Sequence, residues 1–440
     1  MLTSQTLPRD TESFTGPRLS PSRGLRPAVR NTRSSTGSQL SAGAANARGS
    51  VSLAQFDIIY FGNDWHAENR TSSHHVAERL SERTRVLYVD SPGLRAPKAN
   101  ARDLRKLCHK LLAAMRGPQC VGERFWQMSM PQIPFRRLPF VRRVNVALGR
   151  LLVWRALKRL GFARTVSWFA VPHPGYLANA FGEAAVVYYC IDDYAALPDV
   201  DARAVAEMDA HLTRRADQVF VASTPMLQAK RLLKPSTVLA PHGVDAALFR
   251  SASDPQLAIA PGAHNLRKPV IGFYGLIEEW IDVDLIADLA GRRPHWTFLM
   301  IGRLAVDPGR LKALPNVVFA GPQPYRSLPT WAKAFDVAIM PYRLTRQVVN
   351  SAPLKLREYL ATGKPVVAVP APDIERFAGL VRIARGRDEF LRQIEDSLAN
   401  DTDEDRARRI EATFTMTWDA RISEVVGIVE HRIWQKEQFR

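Results

Sequence analysis

The 440-residue sequence predicts an α/β protein built as two doubly wound, parallel-sheet domains that face each other across a cleft. Three observations carry this expectation. Short runs rich in Val, Ile, Phe and Tyr alternate with helix-length amphipathic segments, which implies parallel strands wrapped by helices. The alternation occurs twice, separated at 251–268 by a stretch of Ser, Ala, Pro, Gly and Asn that reads as a linker. The length also suffices for two domains, each with a core of its own.

Taken in order, residues 1–50 hold seven arginines, two acids and no periodic apolar residues. A basic tail outside any core is expected there, and it contains no apolar run of signal-peptide length. A first Rossmann-like domain is expected over 51–250. Its strands fall at 56–61, 85–89, 165–171, 185–191, 218–222 and 237–240, and its helices at 72–81, 141–160, 202–215 and 225–233. A second Rossmann-like domain is expected over 269–417. There the strands fall at 269–276, 297–302, 316–320, 336–340, 365–369 and 381–384, with helices at 282–292, 328–334, 353–362 and 388–400. A closing helix in 418–440 is expected to pack back toward the first domain. In this architecture ligands bind outside the carboxyl ends of the strands.

Composition narrows the class. With 46% hydrophobic and 24% charged residues, the chain reads as a soluble globular protein. No stretch approaches the roughly 20 apolar residues of a membrane-spanning helix. Cys108, Cys120 and Cys190 show no paired or metal-ligand spacing, which fits a reducing cytosol. His74-His75 has no third ligand nearby, so neither a metal nor a cofactor is expected.

The net charge of +18 is uneven: residues 95–164 hold 17 Arg and Lys against two acids. Two helical patterns carry it. In 101–116 an apolar face runs through Leu104, Leu107, Cys108, Leu111, Leu112 and Met115. In 141–160 a stripe of Val141, Val144, Leu148, Leu151 and Leu152 is expected, with Trp154 at its edge. Basic amphipathic helices of this kind suit an anionic membrane surface. Nucleic acid would also accept the charge, but no recognition motif accompanies it, so no nucleic-acid partner is expected.

Four groups of residues carry chemistry. Ala240-Pro241-His242-Gly243-Val244-Asp245, followed by Phe249, closes the first strand series. Asn350-Ser351-Ala352-Pro353-Leu354-Lys355-Leu356-Arg357-Glu358 runs into a helix that ends at Gly363-Lys364-Pro365. A carboxylate such as Glu358 accepts two hydrogen bonds and so suits vicinal hydroxyls. A helix start beside it aims N–H groups at phosphate, and Lys355 shares the face of Glu358. Gly272–Gly275 ends the first strand of the second series, where small residues admit a diphosphate. Positive charge for that diphosphate is expected from Arg303 and Lys355, with Arg343 a further candidate. In the first domain His173 follows a strand and points toward the cleft. Asp192 and Asp193 end another strand, where paired carboxylates can leave one as a base. Gly62, Asn63 and Asp64 end the first strand and are expected to shape the acceptor pocket.

These strings resemble the family 4 glycosyltransferases (glycosyl transferases group 1, GT-B fold) from about residue 56 to the C-terminus. The bacterial teichuronic-acid and exopolysaccharide type is the most similar in its Pro353–Tyr359, Asp192–Tyr194 and Gly272–Leu276 strings. His242 stands where that family has Asn. Asn350 stands where it has the first of two glutamates, and Glu358 is the second. Glu278-Glu279-Trp280 stands where members often have a basic residue. The resemblance implies a glycosyltransferase of hexosyltransferase type acting with retention on a nucleoside-diphosphate sugar. Glu358 would then hold the donor ribose, and Asn350 and Leu354 would lie at the donor. It also implies a lipid-linked or glycan acceptor in cell-surface or exopolysaccharide biosynthesis. Joined to the basic segment at 95–164, it places the protein in the cytoplasm at the inner face of the cell membrane. Two alternatives stand beside this: a nucleotide-sugar epimerase of the same two-domain fold, and a basic nucleic-acid-binding protein. The absence of Gly-x-Gly-x-x-Gly after a strand argues against an NAD-dependent dehydrogenase.

Overall fold

A computed structural model describes residues 51–67, 70–91, 94, 116–131 and 139–439. The tail expected at 1–50 lies outside these residues, as does all but Arg116 of the helix expected at 101–116.

The first sheet contains β1 (Asp57–Gly62), β2 (Val86–Asp90), β3 (Gln119–Gly122), β4 (Phe125–Ser129), β5 (Thr165–Phe169), β6 (Ala185–Cys190), β7 (Gln218–Val221) and β8 (Val238–Leu239). Their order is β3-β4-β2-β1-β5-β6-β7-β8, parallel except where β3 runs against β4. β1, β2, β5, β6 and β7 are buried along their whole length, which is why they read as unbroken apolar runs. The helices of this half are α1 (Ser72–Ser81), α2 (Pro139–Leu160), α3 (Ala202–Arg215) and α4 (Thr224–Arg231). Side chains start them: Asp201 accepts from the Ala204 N–H and Ser223 from the Met226 N–H, each satisfying a donor the helix leaves open.

A short helix, α5 (Ala246–Arg250), leads into the second half. There the strands are β9 (Val270–Tyr274), β10 (Thr297–Ile301), β11 (Val317–Gly321), β12 (Val337–Met340), β13 (Val366–Ala368) and β14 (Arg382–Ile383), ordered β11-β10-β9-β12-β13-β14 and all parallel. Around them lie α6 (Val283–Arg292), α7 (Leu328–Ala332), α8 (Arg346–Asn350), α9 (Leu354–Ala361), α10 (Pro372–Glu375), α11 (Arg387–Asn400) and α12 (Asp403–Ala412). The chain then returns to the first sheet as α13 (Trp418–Gln438), whose Trp418, Ile422, Val425, Val426, Val429 and Ile433 are buried in the core on one face of that sheet. Outgoing and returning segments touch: Val244 N–H donates to the Met416 carbonyl at 2.9 Å, and Trp418 N–H to the Val244 carbonyl at 3.3 Å.

The structure corrects the sequence reading of the first half in two places. β3 and β4 lie inside the segment read only for its basic helices. The stripe expected on α2 is also turned round: the residues it buries are Asn145, Gly149, Val153, Ala156 and Leu157, whereas Leu151 is exposed and Val141, Val144, Leu148 and Leu152 are half-buried. The helix carries apolar residues on both sides, so spacing alone did not reveal which side meets the sheet.

Strand order reverses between β1 and β5 in the first sheet and between β9 and β12 in the second. At such a switch point the loops part and leave a crevice at the carboxyl ends. Residues 62–64 and 170–173 therefore rim one crevice, and 275–281 and 341–343 the other.

Candidate active site

Gly275 and Gly302, just past β9 and β10, both adopt φ near +137°, at +136° and +137° respectively. This region is open to glycine and strained for other residues. Neither has room for a side chain. A Cβ on Gly302 would lie 1.9 Å from the Gly275 carbonyl oxygen, and one on Gly275 would lie 1.9 Å from Lys355 Cε. The Lys355 side chain thus lies directly over the backbone at the end of β9. Burial holds its ammonium below the usual lysine range, and the charge of Glu358 works against that.

Glu358, on α9, is 3% exposed. Burial pushes its carboxyl up to about 7, while Lys355 and the hydroxyls of Tyr274 and Tyr325 favour the ionised form. Tyr274 is fixed in turn, because its N–H donates to the Tyr359 hydroxyl at 2.9 Å. A buried acid whose proton is nearly balanced at neutral pH, beside a lysine on a glycine-lined strand end, is suited to bind hydroxyls and phosphate together.

The second half also grips the first. Asn350 Nδ2 donates to Asp193 Oδ2 at 2.7 Å and Arg346 Nε to the same oxygen at 3.0 Å. Ser223 Oγ donates to the Asn350 carbonyl at 2.5 Å. The N–H of Thr224, at the start of α4, donates to Asp373 Oδ2 at 2.9 Å, which sets an anion at a helix N-terminus. Asp193 is therefore held by two donors from the other half. Burial raises the Asp192 carboxyl to about 6, and hydrogen bonds from the Asp193 N–H, donating to Oδ1 at 2.9 Å, and from the Gln347 side chain work the other way.

The remaining expected site residues are placed as follows. His173 is buried, at 4% exposure, in the loop beyond β5. Asn63 Nδ2 donates to Thr71 Oγ1 at 3.3 Å, and the Tyr88 hydroxyl donates to the Asn63 carbonyl at 2.8 Å. A Cβ on Gly62 would lie 2.1 Å from that hydroxyl. Asp64 Oδ1 accepts from the His66 N–H at 3.1 Å. Arg303 is exposed beyond β10, its carbonyl accepting from the Ile277 N–H at 3.0 Å. Arg343 turns toward the start of α6, with Nη2 3.4 Å from Asp284 Oδ2. Leu354 packs against the core of the first half. The structure thus unites Gly275, Lys355 and Glu358 in one group and Asn350 with Asp193 in a second. Arg343 is drawn toward acids at its own loop.

Sequence reasoning missed Asp90 and Tyr325 here, and it singled out His75 and His242 without their partners. Asp90 ends β2, where burial raises its carboxyl to about 6; it accepts from the Trp65 N–H at 2.9 Å. His75 lies between Trp418, stacked at 5.1 Å, and Tyr325 at 5.3 Å, and so joins α1, α13 and the second half. His242 shares a hydrogen bond of 2.9 Å with Ser72 Oγ. Burial lowers both His75 and His242 to about 3, so each is neutral near pH 7. The string Gly272-Phe273-Tyr274-Gly275 flagged the neighbourhood of Tyr274, but nothing local signals the meeting of His75 with Tyr325, which are distant in sequence. Among the described residues, no group of three or more His, Cys, Asp or Glu is placed to hold a metal ion, and no helix is long and apolar enough to cross a membrane.

Residues 268–400 match the family model described as Glycosyl transferases group 1. Bacillus subtilis TuaH, named as a teichuronic acid biosynthesis glycosyltransferase, is 29% identical over 232 residues, which cover 48% of this chain and 57% of that protein. The match therefore spans little more than half of that relative. Sucrose-phosphate synthase from Thermosynechococcus elongatus superposes with a TM-score of 0.62 at 14% identity, covering 86% of this chain and 98% of that one. The E. coli trehalose-6-phosphate protein bound with UDP-2-fluoro glucose gives 0.61 at 10% identity, covering 85% and 99%. Anabaena HepE in complex with UDP and glucose gives 0.56 at 15%, covering 84% and 98%. The fold is GT-B, and the chain resembles the group 1 glycosyltransferases.

Proposed function

We propose that the chain transfers a sugar, with retention, from a nucleoside-diphosphate sugar to a lipid-linked or polysaccharide acceptor in cell-surface or exopolysaccharide biosynthesis. The observation that carries the reading is the packing of Lys355 over Gly275 with Glu358 one turn further along α9. Glu358, ionised, accepts hydrogen bonds from the ribose hydroxyls. Lys355 and the bare backbone at Gly275 receive the diphosphate, and Arg303, with Arg343, lies at the outer edge of the same strand ends. Charge grows on the diphosphate as the glycosidic bond breaks, so a cation already in place lowers the barrier. Asn350 and Leu354 lie where α8 and α9 meet the first half and bound the donor sugar. His173 faces that sugar from the other side of the cleft. Asp193 holds the halves together, and Asp192 orients the acceptor hydroxyl, with residues 62–64 lining its pocket. No metal or other cofactor is needed for this scheme.

The known nucleotide contents of two structural neighbours, UDP-2-fluoro glucose in one and UDP with glucose in another, support a nucleoside-diphosphate sugar as donor. The relation to TuaH supports a cell-surface polymer as the destination. The basic segment supports work at the inner face of the cytoplasmic membrane, where a lipid-linked acceptor resides.

Calorimetry with a panel of UDP-, GDP- and dTDP-sugars tests the donor site. One nucleotide is expected to bind the wild type and to lose at least tenfold in affinity with Glu358→Gln, roughly 1.4 kcal/mol or more. Equal binding by both proteins, or none by a folded wild type, overturns the assignment.

A further inference from the structure

We propose that the outward face of α2 docks flat onto an anionic lipid bilayer. This rests on the reading of a membrane-resident acceptor and names the side chains that make the contact. α2 contains six Arg and Lys and no acid in its 22 residues. Its inner side, through Asn145, Gly149, Val153, Ala156 and Leu157, is used up against the first sheet. On the opposite side Phe140, Val144, Ala147, Leu151 and Trp154 follow one another at steps of four and three, which places them in a single row. Phe140 is 74% exposed, Leu151 46% and Trp154 52%. The outward side of a helix on a water-soluble domain is ordinarily polar, so a row with three large apolar side chains calls for a partner.

Charge selects that partner. Arg143 and Arg150 flank the row on one side and Arg155 and Arg159 on the other, each about 60–100° round the helix. Lys158 reaches back over the Trp154 ring, with Nζ 5.7 Å from its centroid. An apolar ridge between two cationic rails matches a surface of anionic headgroups over acyl chains. A nucleic acid would meet the rails but leave the ridge wet. The position also fits. A Cβ on Gly149 would lie 3.3 Å from Met130 Sδ and 3.4 Å from Tyr176 Oη. Met130 follows β4 and Tyr176 follows β5, so the first half of α2 lies level with the carboxyl ends of the strands. A bilayer against this row would border the mouth of the acceptor crevice.

Vesicle co-sedimentation of the full chain tests the inference. One vesicle set is pure phosphatidylcholine and the other is one third phosphatidylglycerol. Binding to the anionic set alone is expected, and it should weaken as salt is added. The double variant Leu151→Glu/Trp154→Glu is expected to bind at least about tenfold more weakly, with unchanged thermal unfolding and unchanged nucleotide-sugar binding. Arg150→Gln/Arg155→Gln is expected to weaken binding and flatten its salt dependence. Undiminished binding by both variants overturns the inference, as does absence of binding by the wild type. A wild-type dimer in vesicle-free solution that the first variant dissociates would show that a second copy covers the row instead. Nucleotide-sugar binding is read separately, so failure on vesicles with intact donor binding counts against this inference alone.

Discussion

Asn350 Nδ2 lies 2.7 Å from Asp193 Oδ2, joining residues 157 apart in the chain and in opposite halves of the fold. An amide is the right group there: it donates to a carboxylate, whereas a second acid would repel it. Asn350→Asp is therefore expected to loosen the closed cleft and lower activity about tenfold. Combining it with Asp193→Asn restores an amide–carboxylate pair with the partners exchanged. A double-mutant cycle on thermal unfolding should return a coupling of about 1–2 kcal/mol. Strictly additive effects would remove the contact from any account of closure.

Glu358 sets a pH dependence with a definite sign. Its carboxyl lies near 7 in the folded chain, against an ordinary 4.5. As pH rises between these values, the unfolded chain has released a proton that the folded chain still holds. The stability of the unliganded protein thus falls across that window and levels off above it. Asp90 and Asp192, raised to about 6, contribute a fall in the same sense up to that pH, so Glu358→Gln is expected to remove the part of the fall that continues to pH 7 and to raise stability at pH 8 by about 1–3 kcal/mol. Donor affinity runs the other way, declining below pH 7 as the carboxylate is protonated. Urea melts from pH 4 to 9, with donor titrations at the same points, check both slopes.

Asp192 bears on stereochemistry. Asp193 is held by Asn350 and Arg346, and Asp192 is bonded by the Asp193 N–H and the Gln347 side chain; the proposed function offers Asp192 to the acceptor. If transfer proceeds with retention, Asp192→Asn should cost turnover less than about tenfold and leave the anomeric configuration of the product unchanged. A loss of about 10²–10⁴-fold, with an inverted product seen by NMR, would instead make Asp192 the general base.

Gly275→Ala is expected to be costly twice over. Its φ of +136° strains any other residue, and the new methyl would occupy the place of Lys355 Cε. A loss of about 1–3 kcal/mol in stability is expected, with donor affinity falling further than the stability loss explains. Gly291→Ala serves as control, since no atom lies within 4 Å of its added Cβ.

The buried parallel strands were legible in the sequence because, covered on both faces, they read as unbroken apolar runs. α1 and α3 were legible to the residue because polar cap residues precede amphipathic turns. The exposed strand β3, Gln119–Gly122, was not, since an edge strand with no buried residue has no apolar signature. α12 was missed for a similar reason. Asp403–Ala412 is polar nearly all round, and only the pairing of Thr402 with Asp405 announces it. In the site, motif spacing picked out Gly275, Lys355 and Glu358, which lie on one strand end and the helix packed beside it. It could not show that Asn350 meets Asp193 or that Tyr325 meets His75, because those contacts exist only once two halves remote in sequence close on each other.

The hydrogen bonds that tie Val244 to Met416 and Trp418 bind the outgoing chain to the returning one. The two halves are thus yoked by a pair of adjacent tethers rather than a single leash. Twisting one half about its neighbour would shear those bonds, whereas rocking about the line of the tethers would leave them intact. An opening that keeps these bonds is expected to follow one swing. Nicking the backbone between residues 251 and 268 would sever one tether and leave the other, so the halves should still travel together through a sizing column.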